Sequence, residues 1–487
     1  MMDAGGRLAE IFPGGSRMAT PFVSRRLGML VTLGAIALVS MSAATPATHK
    51  TSAAAPPAAN DSKPWTGDFD GMLQRRHIRV LVPYSKTLYY VEKGEERGLT
   101  AELARDFGKY LNQKHAKELG GRPITITLIP TTRDKLLSDL DAGKGDISGG
   151  NLTETPSRLK LADFVAPTER DPAHEVLVSG PGAPAVLTLD DLSDKKVSVR
   201  KSSSYYESLA GLSSKLSAAG KPAVQIVPLP DALEDEDVLE LLNAGLFPLT
   251  VVDSWKAKLW GEMLPHIQVH DGIVLRSGGT IGWAIRKNSP GIKAELEGFY
   301  KTASQQGLID SRLTLYQARI KELSNNTTAP ALKHFDDTMK LFRSYGKKYE
   351  FDPLMLAAEG FQESQLNSTA GHTTAVVASQ SAVPTGADLE KNIQAGQKYE
   401  EQLKTKYFAD AKFSEIDRPL FAFASYQAGP DKIAQMRSEA AKRGLDPNQW
   451  FNNVELVTAE KLGMETTNYV RGIYKYYVAY KLTTGTS

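Results

Sequence analysis

The run HIRVLVPYS (77–85), followed by GLTAELARDFGKYLNQ (98–113), sets the architecture of the first half of the chain. The first string is apolar and β-rich and has the length of a buried strand. In the second, Leu99, Leu103, Phe107 and Leu111 return every fourth residue, the spacing of one helix face. Beyond them ITITLIP (124–130) alternates as a strand does, KLLSDLDAG (135–143) reads as a short helix, and GDISGGNLT (145–153) returns as a strand. A second such unit runs from KKVSVRKSSSYYESLAGL (195–212) to LTVVDSWKAKLW (249–260), and GTIGWAIRK (279–287) is a strand returning to the first unit. Strands alternating with helices predict a mainly parallel sheet with helices on both faces. Two α/β lobes joined by crossing segments hold a ligand in the cleft between them.

The bulk properties narrow the class. A chain of 487 residues exceeds what one hydrophobic core organises, so two or three domains are expected. Apolar content of 41% and 23% charged residues describe a globular protein. A net charge of +2 gives no basis for a nucleic-acid partner, which needs a concentrated basic face. The chain has no cysteine, which removes disulfides, thiolate metal sites, a thiol nucleophile and a lipidated N-terminal Cys. The eight histidines show no short ligand spacing, so neither a metal nor another cofactor is expected.

At the N-terminus Arg25 and Arg26 precede LGMLVTLGAIALVSMSAA (27–44), with small residues at Ser42, Ala44 and Ala47. This is the pattern of a Sec-type export signal. An uncleaved membrane anchor is the other reading, since about 18 to 20 apolar residues span a bilayer. Either places the rest of the chain in the periplasm or cell envelope, with membrane association through this segment in the second case. The expected segmentation is signal or anchor over 1–47, disordered linker over 48–72, bilobed domain over 73–305, linker over 306–330 and a helical domain over 331–487.

In the second half, FDPLMLAAEGFQESQL (351–366) opens with Asp352 as N-cap and Pro353 at the first helical position. Leu354, Ala357, Ala358 and Phe361 form a core stripe; Glu359 and Glu363 share the opposite face with Leu356 between them in projection. Glu363 therefore sits at an apolar-walled edge, which raises a carboxyl pKa as a proton donor near neutral pH requires. Two solvated glutamates on an exposed face are the simpler alternative. About sixty residues on, ASYQAGP (424–430) reads as a polar Tyr-containing turn.

FQESQL and ASYQAGP together resemble the catalytic core of the lytic transglycosylases, lysozyme-like enzymes that cut cell-wall glycan. The resemblance implies a mainly α, lysozyme-like fold and a peptidoglycan substrate. It implies one catalytic carboxylate, Glu363, which protonates the glycosidic oxygen and then serves as base while the sugar's own C6 hydroxyl closes a 1,6-anhydro ring. Ser364 would orient substrate or acid; Tyr426 and Gln427 match the family's cleft-wall Tyr and its usual Asn. Tyr469, in the stretch WFNNVELVTAEKLGMETTNYVRGIYKYYVAYKL (450–482), matches a tyrosine near the catalytic Glu, with helix packing as the alternative. The family's Gly-Leu/Ile-Met-Gln-x-x-Pro segment departs here: in TTAVVASQSAVPTGAD (373–388) Gln380 and Pro384 match with a one-residue shift, while Val377 replaces the Gly and Ser379 the Met. A catalytically decayed cell-wall-binding sensor is accordingly the alternative function.

The first half resembles periplasmic solute-binding domains of the amino-acid-binding kind. That resemblance implies an amino acid or muropeptide ligand. Arg158 in NLTETPSRLKLADF (151–164) would grip its carboxylate in a bidentate fork, and the N–H groups of Ser203 and Ser204 at a helix start would assist. Asp253 in LTVVDSW (249–255) would take its ammonium. Taken singly, each has a simpler reading: a surface Arg, a Ser N-cap and an Asp capping the next helix.

Overall fold

The computed structural model describes residues 64–92, 95–167, 173–323, 399 and 402–484. The string FDPLMLAAEGFQESQL (351–366) with Glu363 and Ser364, the segment TTAVVASQSAVPTGAD (373–388) with Gln380, and the N-terminal apolar run lie outside the described residues. Among the described residues no helix is long and apolar enough to cross a membrane.

The first lobe starts with α1 (Phe69–Arg75), β1 (His77–Val82), a hairpin of β2 (Tyr90–Glu92) and β3 (Glu95–Arg97), α2 (Leu99–Lys114) and α3 (Ala116–Leu119). β4 (Thr125–Pro130), α4 (Leu136–Asp141), β5 (Ile147–Thr153) and β6 (Ala162–Val165) follow. All six residues of β1 are buried, because it lies between β4 and β5, parallel to both. The α2 stripe does what its spacing predicts: Leu99, Leu103, Phe107 and Leu111 are all buried, each contributing about 1.5–3 kcal/mol on leaving water. Gly98 just before it has φ +119°, and a Cβ there would stand 2.2 Å from the Leu88 carbonyl oxygen, so the turn into α2 requires glycine.

The chain crosses into a second lobe: β7 (Ala173–Ser179), β8 (Lys196–Arg200), α5 (Ser204–Ala218), β9 (Gln225–Leu229), α6 (Asp235–Asn243), β10 (Leu249–Asp253), α7 (Ser254–Gly261) and β11 (Gln268–Gly279). It returns through β12 (Ile281–Arg286), which pairs antiparallel with β5 and β6 and completes the order β4-β1-β5-β12-β6. The returning strand is where the sequence places it. The second lobe is less parallel than expected. β8 and β9 pair parallel, but β10-β7-β11 is an antiparallel sheet. Long β11 runs back along β7 as the crossing segment, a tertiary arrangement that strand-helix alternation cannot reveal.

Two expected linkers are in part structured. Trp65 donates its N–H to the Gly143 carbonyl at 2.8 Å and its ring lies 3.8 Å beneath the Arg75 guanidinium, so the described residues from 64 to 72 are docked on the first lobe. After α8 (Pro290–Gln305), helix α9 (Leu308–Leu323) occupies most of the 306–330 segment. Ile309 and Tyr316, two turns apart, are buried, and Arg312 reaches Asp106 of α2 at 2.8 Å. Its polar, Pro-ended tail hid an apolar face that α2 covers.

The described C-terminal residues are mainly helical: α10 (Asp417–Ala428), α11 (Pro430–Lys442), α12 (Glu455–Leu462) and α13 (Met464–Thr484). Phe413 stacks on Phe421 at 4.3 Å between centroids, Trp450 meets Phe421 edge-on at 5.5 Å, and the Arg437 guanidinium lies 5.0 Å over Phe413. The helices also pack on the bilobed module. Lys475 of α13 pairs with Glu240 of α6, and Arg471 lies 4.4 Å over the Tyr84 ring and donates to the Ala232 carbonyl at 3.3 Å.

Candidate functional site

The two lobes face each other across a cleft lined by Arg133 and Arg158 from the first and by Arg200, Asp235, Asp253 and Lys256 from the second. Arg133 follows β4, Arg158 follows β5, Arg200 and Asp253 end β8 and β10, Asp235 opens α6 and Lys256 lies on the first turn of α7. Strand ends and helix starts thus converge on one space, as expected at the carboxyl edge of α/β lobes.

Within it the charges pair closely. Arg133 donates to Glu234 from Nε at 3.1 and 3.0 Å and from Nη2 at 2.6 Å, a fork spanning the two lobes. Arg200 holds Glu234 at 3.2 Å and also binds Asp235. Lys256 binds Asp235 and stands 3.5 Å from Asp253. Burial pushes the Asp235 carboxyl up, but Arg200, Lys256 and Arg133 outweigh it and hold it well below the usual carboxylate range. Asp253, with less neutralisation, is raised by burial. Its Oδ1 is buried without a hydrogen-bond partner.

The sequence-predicted ligand residues all come to this cleft, with altered employment. Arg158 is 9% exposed and donates to the Thr153 carbonyl at 2.8 Å and the Ser202 carbonyl at 3.0 Å; burial lowers its pKa. Ser203 is the N-cap of α5, its hydroxyl accepting from Tyr206 N–H at 3.3 Å. Its own N–H is taken by the Arg200 carbonyl at 3.2 Å, so of the two serine N–H groups only that of Ser204 stays with the helix start. The cations Arg133, Arg200 and Lys256 and the acids Glu234 and Asp235 were missed. One signal was available: Lys256 follows Asp253 by three residues, one helical turn away.

In the C-terminal module Tyr426 and Gln427 are on the last turn of α10. ASYQAGP is therefore a helix end, its turn confined to Gly429 at φ +94°, with Pro430 opening α11. Tyr426 is 39% exposed, and Gln427 donates from Nε2 to Glu465 of α13 at 3.1 Å. Tyr469, one turn further along α13, is 2% exposed.

Comparison with known proteins bears on both halves. Residues 78–317 match the family of bacterial extracellular solute-binding proteins, family 3. Membrane-bound lytic murein transglycosylase F of Desulfosudis oleivorans is 25% identical over 436 residues, covering 84% of this chain and 90% of that protein. Its namesake from Ectopseudomonas mendocina is 26% identical over 435 residues, covering 82% of this chain and 83% of that protein. Among solved structures, an ancestral arginine-binding protein bound to arginine matches at a TM-score of 0.40 and 21% identity, over 50% of this chain and 98% of that one. Residues 78–317 are thus similar to solute-binding family 3, in a chain that resembles membrane-bound lytic murein transglycosylase F across both of its halves.

Proposed function

We propose that this chain is an exported, cell-envelope lytic transglycosylase that cleaves the MurNAc–GlcNAc bond of peptidoglycan with formation of a 1,6-anhydro ring. Its bilobed module binds an amino acid or muropeptide and regulates the helical one. The observation that carries the reading is the extent of the similarity: it runs through both modules and covers 90% of the Desulfosudis relative. Glu363 is the general acid and then the base; Ser364 orients it or the substrate, and Gln380, Tyr426, Gln427 and Tyr469 contact the glycan. No second carboxylate acts as nucleophile, because the C6 hydroxyl attacks the anomeric carbon as the proton returns to Glu363. Helix α6 supports the regulatory part. Its start carries Asp235, facing the cleft cations, and its fifth later residue, Glu240, pairs with Lys475 of the C-terminal module. A change in cleft pairing thus has a rigid element to act through.

The test is digestion of purified peptidoglycan by the protein lacking residues 1–60, beside Glu363→Gln, with products weighed by mass spectrometry. Products one water lighter than hydrolytic muropeptides, absent with the variant, are expected. Hydrated products that vanish with the variant would make it a hydrolase. The sequence departure in 373–388, with Val377 where the family has Gly, favours a second reading as a decayed wall-binding sensor. Wall binding with no product from either protein would establish it.

A further inference from the structure

The cleft carries one cation too many. Arg133, Arg158, Arg200 and Lys256 face Glu234, Asp235 and Asp253, four positive groups against three negative ones. Arg133, Arg200 and Lys256 each have carboxylate partners within the site. Arg158 has none among the described residues; its guanidinium donates to two backbone carbonyls. Glu207, the carboxylate whose field Arg158 feels most, is exposed and accepts a hydrogen bond from Ser157 at 2.9 Å. One buried acceptor is also open: Asp253 Oδ1 has no partner, although the residue is 1% exposed. A buried cation without an anion and a buried acceptor without a donor are both costly, and one ligand can relieve both.

A free amino acid would bring an ammonium to Asp253 and Asp235. That position is held: Lys256 binds Asp235 and stands 3.5 Å from Asp253. A second ammonium there would meet a like charge in a buried site, and a zwitterion would leave the excess positive charge unchanged. A carboxylate carried beside a neutral N–H has neither fault. Its charge cancels that of Arg158, and its N–H fills Asp253 Oδ1 without confronting Lys256. We propose that this cleft takes the carboxylate of an N-acylated amino acid, such as the last residue of a short peptide, and that Lys256 is the residue excluding free amino acids. The inference rests on the ligand-binding reading of the bilobed module given above and narrows its ligand class.

The experiment is isothermal titration calorimetry of the full chain with free L-amino acids and with the matching N-acetyl-L-amino acids. The expected result is that the best acetylated compound binds at least tenfold more tightly than its free counterpart. Lys256→Met should cut that ratio tenfold or more by opening the position to an ammonium, while Lys256→Arg, which keeps the charge, should preserve it. Arg158→Gln should weaken both series alike. Free amino acids binding as tightly as their acetylated forms to the unaltered protein would overturn the inference and leave the ligand-binding reading standing. An unchanged ratio in a folded Lys256→Met protein would do the same. If Lys256→Met does not fold, the ratio in the unaltered protein decides alone. Silence from both series with folded protein would overturn both readings.

Discussion

Replacing Lys475 by Met tests whether the contact between the modules is energetically real. Lys475 is 2% and Glu240 0% exposed at the side chain, so the pair is removed from water. Burial disfavours the Lys475 ammonium, but Glu240 outweighs that and raises its pKa; burial likewise pushes Glu240 up while Lys475 and Lys86 pull it down further. Removing one partner of such a pair costs about 3–5 kcal/mol, because the remaining charge is stranded. Here Glu240 keeps Lys86 at 3.2 Å, itself a partly exposed cation. The loss should therefore fall at the low end, about 3 kcal/mol. Glu240→Gln alone strands Lys475 and should cost a similar amount. The double variant strands neither and should recover about 2 kcal/mol relative to the sum of the single effects. Urea unfolding of the four proteins, followed by far-ultraviolet circular dichroism, completes the cycle. Single variants within about 0.5 kcal/mol of the parent, with no coupling between them, would mean the pair contributes nothing and the docking of α13 on α6 rests on something else.

Glu236 predicts a pH dependence. It accepts from Ser85 Oγ at 2.7 Å, and burial, with Glu234 and Asp237 beside it, pushes its carboxyl from an ordinary 4.5 up to about 7. The folded protein then holds a proton that the unfolded chain has released, so stability is full below pH 4.5 and falls as pH rises towards 7. The loss is at most about 3 kcal/mol. Glu236→Gln keeps the acceptor for Ser85 and should flatten that slope in urea titrations between pH 4.5 and 8; an unaltered slope would remove Glu236 as its source. Arg437 predicts a local loss. It is 4% exposed, donates to the Pro447 carbonyl at 2.9 Å, to Asn448 Oδ1 at 3.2 Å and to Asp410 Oδ1 at 3.2 Å, and covers the rings of Phe408 and Phe413. Arg437→Met keeps the bulk but abandons all three acceptors, and should cost about 2–4 kcal/mol in the same assay. A cost below about 0.5 kcal/mol would show that the apolar stem alone holds the site.

What the sequence made legible was local and periodic. The α2 stripe, the strand at 77–82 and the return of β12 follow from spacing, and spacing is a property of neighbours along the chain. Arg158, Ser203, Ser204 and Asp253 were recognisable only through their resemblance to solute-binding motifs; taken singly, each reads as a surface Arg, a Ser N-cap or an Asp cap. The acid-rich start of α6 shows why the rest was hidden. Glu234, Asp235, Glu236, Asp237 and Glu240 crowd into seven positions and by composition belong on a solvated face, yet all five are buried. Their burial is possible only because cations arrive from far along the chain: Arg133 is 101 residues from Glu234, Lys86 is 154 and Lys475 is 235 from Glu240. Lys256 was overlooked for the opposite reason. It lies one turn from Asp253, and a near neighbour of opposite charge on a helix reads as an ordinary surface pair worth a few tenths of a kcal/mol. What makes it decisive is Asp235, which shares its ammonium from 21 residues away and fixes it inside the cleft. A charge whose partners are distant in sequence has no period to betray it, and the ion pairing inside this cleft rests on such charges.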